Sequence, residues 1–282
     1  MIFEKFDRSD SNRPFSPSKG NQTKYRINDT WYKEDYLGYE GASEFLCSQI
    51  LEHSNISDYI PYTIEVISCN EHQVLGCGSR HFLKENEALY TLNDIWNLSK
   101  DKPFYKYIEN LSTSNRIQEV VSFIENELHI PNAGEVITLM LELDAFTLNE
   151  DRHANNIAFI EGVDGTKRFA PIFDNGASFL SDTTNYSASQ SVRRIIPSVK
   201  AKPFNTSFDK QVKACEQLYG KQINLYDFDM TNAFDTIESN YGTLIARHMK
   251  LCYDLQRSKY SDYFRENPMH VEISDSDEFS LE

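Results

Sequence analysis

The sequence predicts an α+β protein with a small antiparallel-sheet N-terminal lobe and a larger helical C-terminal lobe. Two observations predict it. Up to about residue 84 the apolar residues mostly alternate, the period of a half-buried strand. Beyond that point they recur every three or four residues, the period of a helix that buries one face. A chain of 282 residues, 40% hydrophobic and with 18 Phe and 16 Tyr, has the apolar volume to fill a core of that size.

Residues 1–20 are polar, with Pro14, Pro17 and several serines, and 1–15 read as an irregular lead-in. TKYRI and TWYK flank Asn28-Asp29, a pair suited to a tight turn, and read as a hairpin. Ala42, Phe45, Leu46, Ile50 and Leu51 follow helical spacing between Glu40 and Glu52. YTIEVISC and QVLGCGSRHFL alternate as strands, and they complete a first lobe spanning 16–84. In the second lobe, 85–268, the stripe Ile117, Val120, Val121, Ile124 and Leu128 gives a helix ended by Pro131. A more uniformly apolar helix runs from Gly134 to about Phe146. IAFI and RFAPIF, joined through Gly162, Asp164 and Gly165, then form a hairpin. Segments 207–219, 229–239 and 241–257 are further helices, and 269–282 is an acidic mobile tail.

Charge and cysteine content exclude several function classes. Lysine and arginine number 28 against 43 acidic residues, a formal net charge of −15, so broad binding to nucleic acid or anionic membrane is not expected. No apolar run has the roughly 20 residues of a membrane span, and the opening MIFEKFDRSD lacks signal-peptide character. The five scattered cysteines have no CxxC spacing and read as reduced thiols of a cytoplasmic protein, not as a zinc site. Basic stretches at Lys19–Lys24, Arg193-Arg194 and Lys200–Lys202 are short. They read as solvated faces or as local docking for an acidic partner.

One polar cluster stands between apolar segments: Leu148-Asn149-Glu150-Asp151-Arg152-His153-Ala154-Asn155-Asn156. A solvated loop, or helix capping by Asn149 or Asp151, is one reading of it. The other comes from spacing. Asp151, an asparagine five residues later at Asn156, a short hairpin, and Asp174 at its far end reproduce the layout of phosphoryl-transfer enzymes of the protein-kinase type. That chemistry needs hard oxygen ligands for Mg²⁺, supplied by Asn156 and Asp174. It also needs a separate carboxylate, Asp151, to orient the attacking hydroxyl and take its proton. Gly176 lets the chain turn after the metal ligand. Gly20, Gln22 and Lys24 open the first strand in a segment able to fold its amides over phosphates. Lys33 is a candidate to neutralise phosphate oxygens, with Glu44 eleven residues on as its partner. Alone, each also reads as a surface charge.

DRHANN with PIFDNG, SKGNQTK, WYK and SEFLCSQIL together resemble the HipA-like serine/threonine kinases of bacteria and their mobile elements. The resemblance covers roughly residues 16–180 by motif and implies a two-lobed protein-kinase-like fold with ATP between the lobes. It makes Asp151 the catalytic aspartate and Asn156 and Asp174 the Mg²⁺ ligands. Gly20, Gln22, Lys24 and Lys33 become the nucleotide contacts, with Glu44 rather than Glu40 beside Lys33. His153 matches a family histidine expected to hydrogen-bond the loop. Ser16 and Ser18 fall where family members autophosphorylate. With so little chain ahead of the phosphate loop, the sequence is closer to compact family members than to those with an extra N-terminal subdomain. The implied function is transfer of the ATP γ-phosphate to Ser/Thr hydroxyls of a protein substrate, with an antitoxin as a possible partner. The alternatives are a catalytically weak nucleotide-binding component of a toxin–antitoxin system, or a kinase acting on small molecules or lipids.

Overall fold

A computed structural model describes residues 22–69 and 72–265 of the chain. In the N-terminal lobe, β1 (Lys24–Ile27), β2 (Thr30–Glu34), β3 (Thr63–Cys69) and β4 (His72–Arg80) form an antiparallel sheet of order β1-β2-β4-β3. The expected Asn28-Asp29 turn joins the first two strands, with Asn28 in the left-handed region at φ 53°. Lys33 stands opposite Lys24 on one side and Cys77 on the other, so the three share one face of the sheet.

Helix α1 (Glu40–Glu52) follows the predicted bounds and packs on β4 and β3, and its Ala42, Leu46, Cys47, Ile50 and Leu51 are buried in the main apolar core shared with the helical lobe. Two glycines set how closely it approaches. A Cβ on Gly41 would come within 2.6 Å of the Gly76 backbone, and one on Gly76 within 2.0 Å of the Lys33 carbonyl oxygen. The Glu40 carboxylate accepts the amides of Leu37 at 2.7 Å and Gly38 at 3.0 Å, where the loop turns into the helix.

The C-terminal lobe is built on α4 (Thr113–Glu127), α5 (Ala133–Thr147), α7 (Phe208–Tyr219), α8 (Thr231–Tyr241) and α9 (Thr243–Lys259). Ser112 caps α4 by accepting the amide of Asn115. Helix α5 is buried along almost its whole length, as its mostly apolar sequence requires, and it takes Glu142 and Asp144 into the core with it.

Several elements differ from expectation. The second hairpin strand, β7 (Lys167–Phe169), stops short of the run read from RFAPIF, because Pro171 has no amide to continue a ladder. Ile172 instead bridges to Tyr59, with the Ile60 amide 2.9 Å from its carbonyl oxygen. The hairpin strand β6 (Ala158–Glu161) gains a second partner, β5 (Ala88–Thr91), which continues into α2 (Leu92–Ser99) and then α3 (Phe104–Ile108). Short α6 (Val192–Ile195) and the two-residue parallel pair β8 (Leu225–Tyr226) and β9 (Phe264–Arg265) were likewise not expected. Among the described residues no helix is long and apolar enough to cross a membrane.

Two of the contacts between the lobes position the site. Ile60, Tyr62 and Cys77 share an apolar cluster with Ala158, Ile160, Ala170 and Phe173. Helix α1 and the loop before it are hydrogen-bonded to the segment after Asp174. Ser43 Oγ donates to the Ser178 carbonyl at 2.9 Å, and Tyr39 OH lies 2.9 and 2.8 Å from the carbonyl oxygens of Phe179 and Leu180. The second contact fixes Glu44 against Asp174.

Candidate active site at the junction of the lobes

Lys33 comes from β2, Glu44 from α1 and Asp174 from the loop after β7, and the three form one buried ion cluster. Lys33 Nζ is 2.8 Å from Glu44 Oε1, 2.9 Å from Asp174 Oδ1 and 3.4 Å from Tyr62 OH. Lys33 is only 8% exposed. Burial disfavours its charge, but Asp174 and then Glu44 outweigh that and hold the ammonium well above its ordinary range. Burial likewise opposes ionisation of Asp174, and Lys33, Lys24 and His153 reverse the effect, leaving its carboxyl well below the usual range. Burial wins at Glu44, whose carboxyl is raised despite the Lys33 contact. The other Glu44 oxygen accepts the Asn175 amide at 2.8 Å.

Glu44 therefore pairs with Lys33, while Glu40 caps the preceding turn. Lys24 feels both Asp174 and Glu44, and its own ammonium is lowered by burial. Gln22 has its side-chain amide spent on the Glu34 carbonyl at 3.1 Å, across the open end of the β1–β2 hairpin. Gly20, Ser16 and Ser18 lie outside the described residues.

The loop after α5 is not a solvated stretch. Asn149 is buried, donates to Asp144 Oδ1 at 2.9 Å and accepts the Asp151 amide at 3.2 Å. Arg152 is 1% exposed and organises the whole junction. Its guanidinium contacts both oxygens of Asp144 on α5 at 2.9–3.2 Å. It also donates to the Phe173 carbonyl at 2.9 Å, to Asn175 Oδ1 at 2.6 Å and to the Asn156 carbonyl at 3.4 Å. One side chain thus ties the Asp151–Asn156 loop to the Phe173–Asn175 loop and anchors both on α5.

Asp151 is 39% exposed, with Oδ1 2.5 Å from Lys202 Nζ and Oδ2 3.6 Å from His153 Nε2. Asn156, 4% exposed, donates its amide to the Asp151 carbonyl at 3.0 Å, and its Oδ1 is buried with no hydrogen-bond partner. The Nδ1 of His153 is also buried without a partner. The loop's hydrogen bonds through His153 use its backbone instead: its amide donates to Asp151 and its carbonyl accepts from Asn156.

The turn after the hairpin is made by Asp174 itself, at φ 59°, and not by Gly176. Gly176 serves close approach, since a Cβ there would lie 3.2 Å from Cβ of Glu40. Sequence reading missed Asp144, Asn149, Arg152, Asn175 and Lys202 as members of the site. The available signal was Asp144, a carboxylate inside a mostly apolar helix eight residues before an arginine.

The donor set suits a hard divalent cation. Asn156 Oδ1 is a buried oxygen lacking a partner, and Asp174 is held ionised. Among the described residues no three His, Cys, Asp or Glu side chains converge as a metal-binding group. A cation here would take one carboxylate, one carboxamide and oxygens from elsewhere, the pattern of Mg²⁺ shared with a phosphate-bearing substrate.

No family model matches the sequence, and no curated protein matches it. Solved structures do. HipA of Shewanella oneidensis MR-1, from a toxin–antitoxin complex with HipB and operator DNA, aligns at a TM-score of 0.41 with 10% identity. That alignment covers 89% of this chain and 62% of the other, and is too loose to carry an argument. The proinflammatory kinase CtkA of Helicobacter pylori aligns at a TM-score of 0.58 with 14% identity over 93% of each chain. The sheet-bearing lobe, the helical lobe and the junction between them therefore have the two-lobed fold of a protein kinase.

Proposed function

We propose that this chain is an ATP- and Mg²⁺-dependent kinase that transfers the γ-phosphoryl group to a serine or threonine hydroxyl of a protein. The observation that carries the reading is the convergence of Lys33, Glu44 and Asp174 beside a loop that presents Asp151 and an unpartnered Asn156 oxygen. Such a set of oxygens and one buried lysine has the inventory of phosphoryl transfer, where positioning and charge neutralisation do most of the work.

In this reading Asp174 and Asn156 hold Mg²⁺, which when bound neutralises phosphate oxygens. Lys33 contacts the nucleotide phosphates, and Glu44 keeps its ammonium aimed at them. Lys24, on the same face, is the further nucleotide contact. Asp151 orients the acceptor hydroxyl. As the hydroxyl oxygen bonds to the γ-phosphorus, the bond to the bridging oxygen of ADP breaks and the hydroxyl proton passes to the Asp151 carboxylate. Arg152 holds Asp151, Asn156 and Asp174 in register through their loops. In a chain of net charge −15, whose site lysines Lys33 and Lys202 are already paired with carboxylates, a bound cation would supply the positive charge that a nucleotide polyanion needs.

Transfer from labelled ATP to protein, lipid and small-molecule hydroxyl acceptors in competition tests the proposal. Label in phosphoserine or phosphothreonine, lost in Asp174→Ala, is the expected result. Label in a lipid or small molecule alone contradicts the protein acceptor, and nucleotide binding without transfer to any acceptor contradicts the kinase reading.

A further inference from the structure

Lys202 belongs to a basic stretch that the sequence reading assigned to a solvated face, yet the structure sets its ammonium 2.5 Å from Oδ1 of Asp151. We propose that Lys202 is a catalytic residue, supplying positive charge to the transferring phosphoryl oxygens on the acceptor side of the site. The inference rests on the kinase reading above and adds to it a residue outside the motifs that led there.

The backbone that presents Lys202 is pinned from several directions. Ala201 and Thr206 exchange hydrogen bonds at 2.7 and 3.2 Å, closing a tight turn. The Lys202 amide donates to the carbonyl of Glu150, beside Asp151, at 3.3 Å. Its carbonyl accepts from the buried side chain of Gln211 on α7 at 3.4 Å. At the tip of the turn, Phe204 is buried and its carbonyl accepts from Arg116 of α4 at 2.5 Å. Two helices and the Asp151 loop thus hold a turn whose lysine side chain reaches Asp151 while remaining 46% exposed.

Stability does not account for this arrangement. An ion pair between partners exposed to this degree contributes at most about 1 kcal/mol. Chemistry does account for it. The transferring group spreads negative charge over its three equatorial oxygens, and cations on only one side leave part of it uncompensated. Lys33 is committed to Glu44 and Asp174, which it contacts at 2.8 and 2.9 Å. The residue two places after Asp151 is His153, whose Nε2 is 3.6 Å from Oδ2. Lys202, reaching in from a distant segment, meets the need in the manner of a cationic finger supplied within the same chain. It stays protonated throughout. The acceptor oxygen bonds to phosphorus, the bond to ADP breaks, and the proton goes to Asp151.

The experiment measures kcat for phosphoryl transfer and, separately, Kd for Mg-ATP in the full chain. The variants are Lys202→Ala, Lys202→Gln and Lys202→Arg, with Lys200→Ala as a nearby control and Asp151→Asn as the inactive reference. The neutral variants are expected to lose ~100-fold in kcat with Kd within about twofold of wild type, and Lys202→Arg to recover a large part. Either neutral variant suffices should the other fail to fold, as checked by circular dichroism. A folded neutral variant whose kcat stays within about twofold of wild type, or exceeds it as release of an inhibitory latch, overturns the assignment. Wild type that transfers while Asp151→Asn does not, together with unimpaired Lys202 variants, removes Lys202 alone. Wild type that transfers nothing removes both this proposal and the kinase reading.

Discussion

Replacing Arg152 by methionine removes the side chain on which three parts of the junction depend. The change strands Asp144 as a buried carboxylate and leaves the Phe173 carbonyl and Asn175 Oδ1 without their guanidinium donor. Breaking a buried pair from one side costs about 3–5 kcal/mol, and each stranded buried acceptor about 1–3 kcal/mol. Two effects return part of this. Asp144, whose carboxyl burial already raises, can take up a proton, and it keeps its hydrogen bond from Asn149. Methionine also fills much of the volume with apolar atoms. A net loss of about 4 kcal/mol remains, a large fraction of the roughly 5–15 kcal/mol that holds a domain folded. Urea unfolding followed by circular dichroism measures it as a lower midpoint at unchanged slope. Adding Asp144→Asn to Arg152→Met removes the uncompensated charge and should recover at least ~1 kcal/mol, within the usual range for coupled neighbours. A loss below about 1 kcal/mol for Arg152→Met, or no recovery in the double variant, would refute the view that Arg152 is the tie between these loops.

Other perturbations test neighbouring links. Lys33→Met leaves Glu44 and Asp174 facing each other without their ammonium, so Mg-ATP affinity in a fluorescent-nucleotide titration should fall at least ~10-fold, about 1.4 kcal/mol; unchanged affinity contradicts the phosphate role. Gly76→Ala drives a methyl into the Lys33 carbonyl and should cost about 1–3 kcal/mol, whereas Gly78→Ala meets first the flexible side chain of Glu65 and should cost less, with thermal melts ranking the two. Asp35 accepts from Gly41 and Tyr241, yet burial pushes its carboxyl up to about 6, so the folded state binds that proton more tightly than the unfolded chain. Its contribution therefore weakens the fold as pH rises from about 4 through 6, and the stability of Asp35→Asn relative to wild type should grow over that window by up to about 3 kcal/mol. A pH-independent difference between the two proteins contradicts it.

Apolar residues at helical spacing made α1 and α4 readable, a mostly apolar run made α5 readable, and the Asn28-Asp29 turn announced the first hairpin. Strand β5 escaped because its partner β6 lies some seventy positions on, and four residues carry too short a pattern to announce a strand. Helix α2 escaped for a similar reason. Its apolar positions Leu92, Ile95 and Trp96 span barely one turn, and Trp96 is secured by Phe104 and Phe123 from other helices. In the site, spacing singled out Asp151, Asn156 and Asp174, and the structure brings Asp174 to Lys33 and sets Asn156 against the Asp151 backbone. Arg152 stayed hidden because an arginine in a polar run looks like a solvated charge. Only the fold shows it enclosed by Asp144, Phe173 and Asn175. Lys202 stayed hidden because fifty-one positions separate it from Asp151, and no local pattern encodes that meeting.

The most direct measurement is intact-protein and peptide mass spectrometry of the full chain and a serine-bearing basic acceptor after incubation with ATP and Mg²⁺, for wild type, Asp151→Asn and Asp174→Ala. Wild type should place the mass of a phosphoryl group on a serine or threonine, with Ser16 and Ser18 as the positions to inspect in the chain itself. Both variants should leave every peptide unmodified. Phosphoryl transfer at the wild-type level by either variant, or none by wild type, would contradict the claim that Asp151 and Asp174 form one phosphoryl-transfer centre.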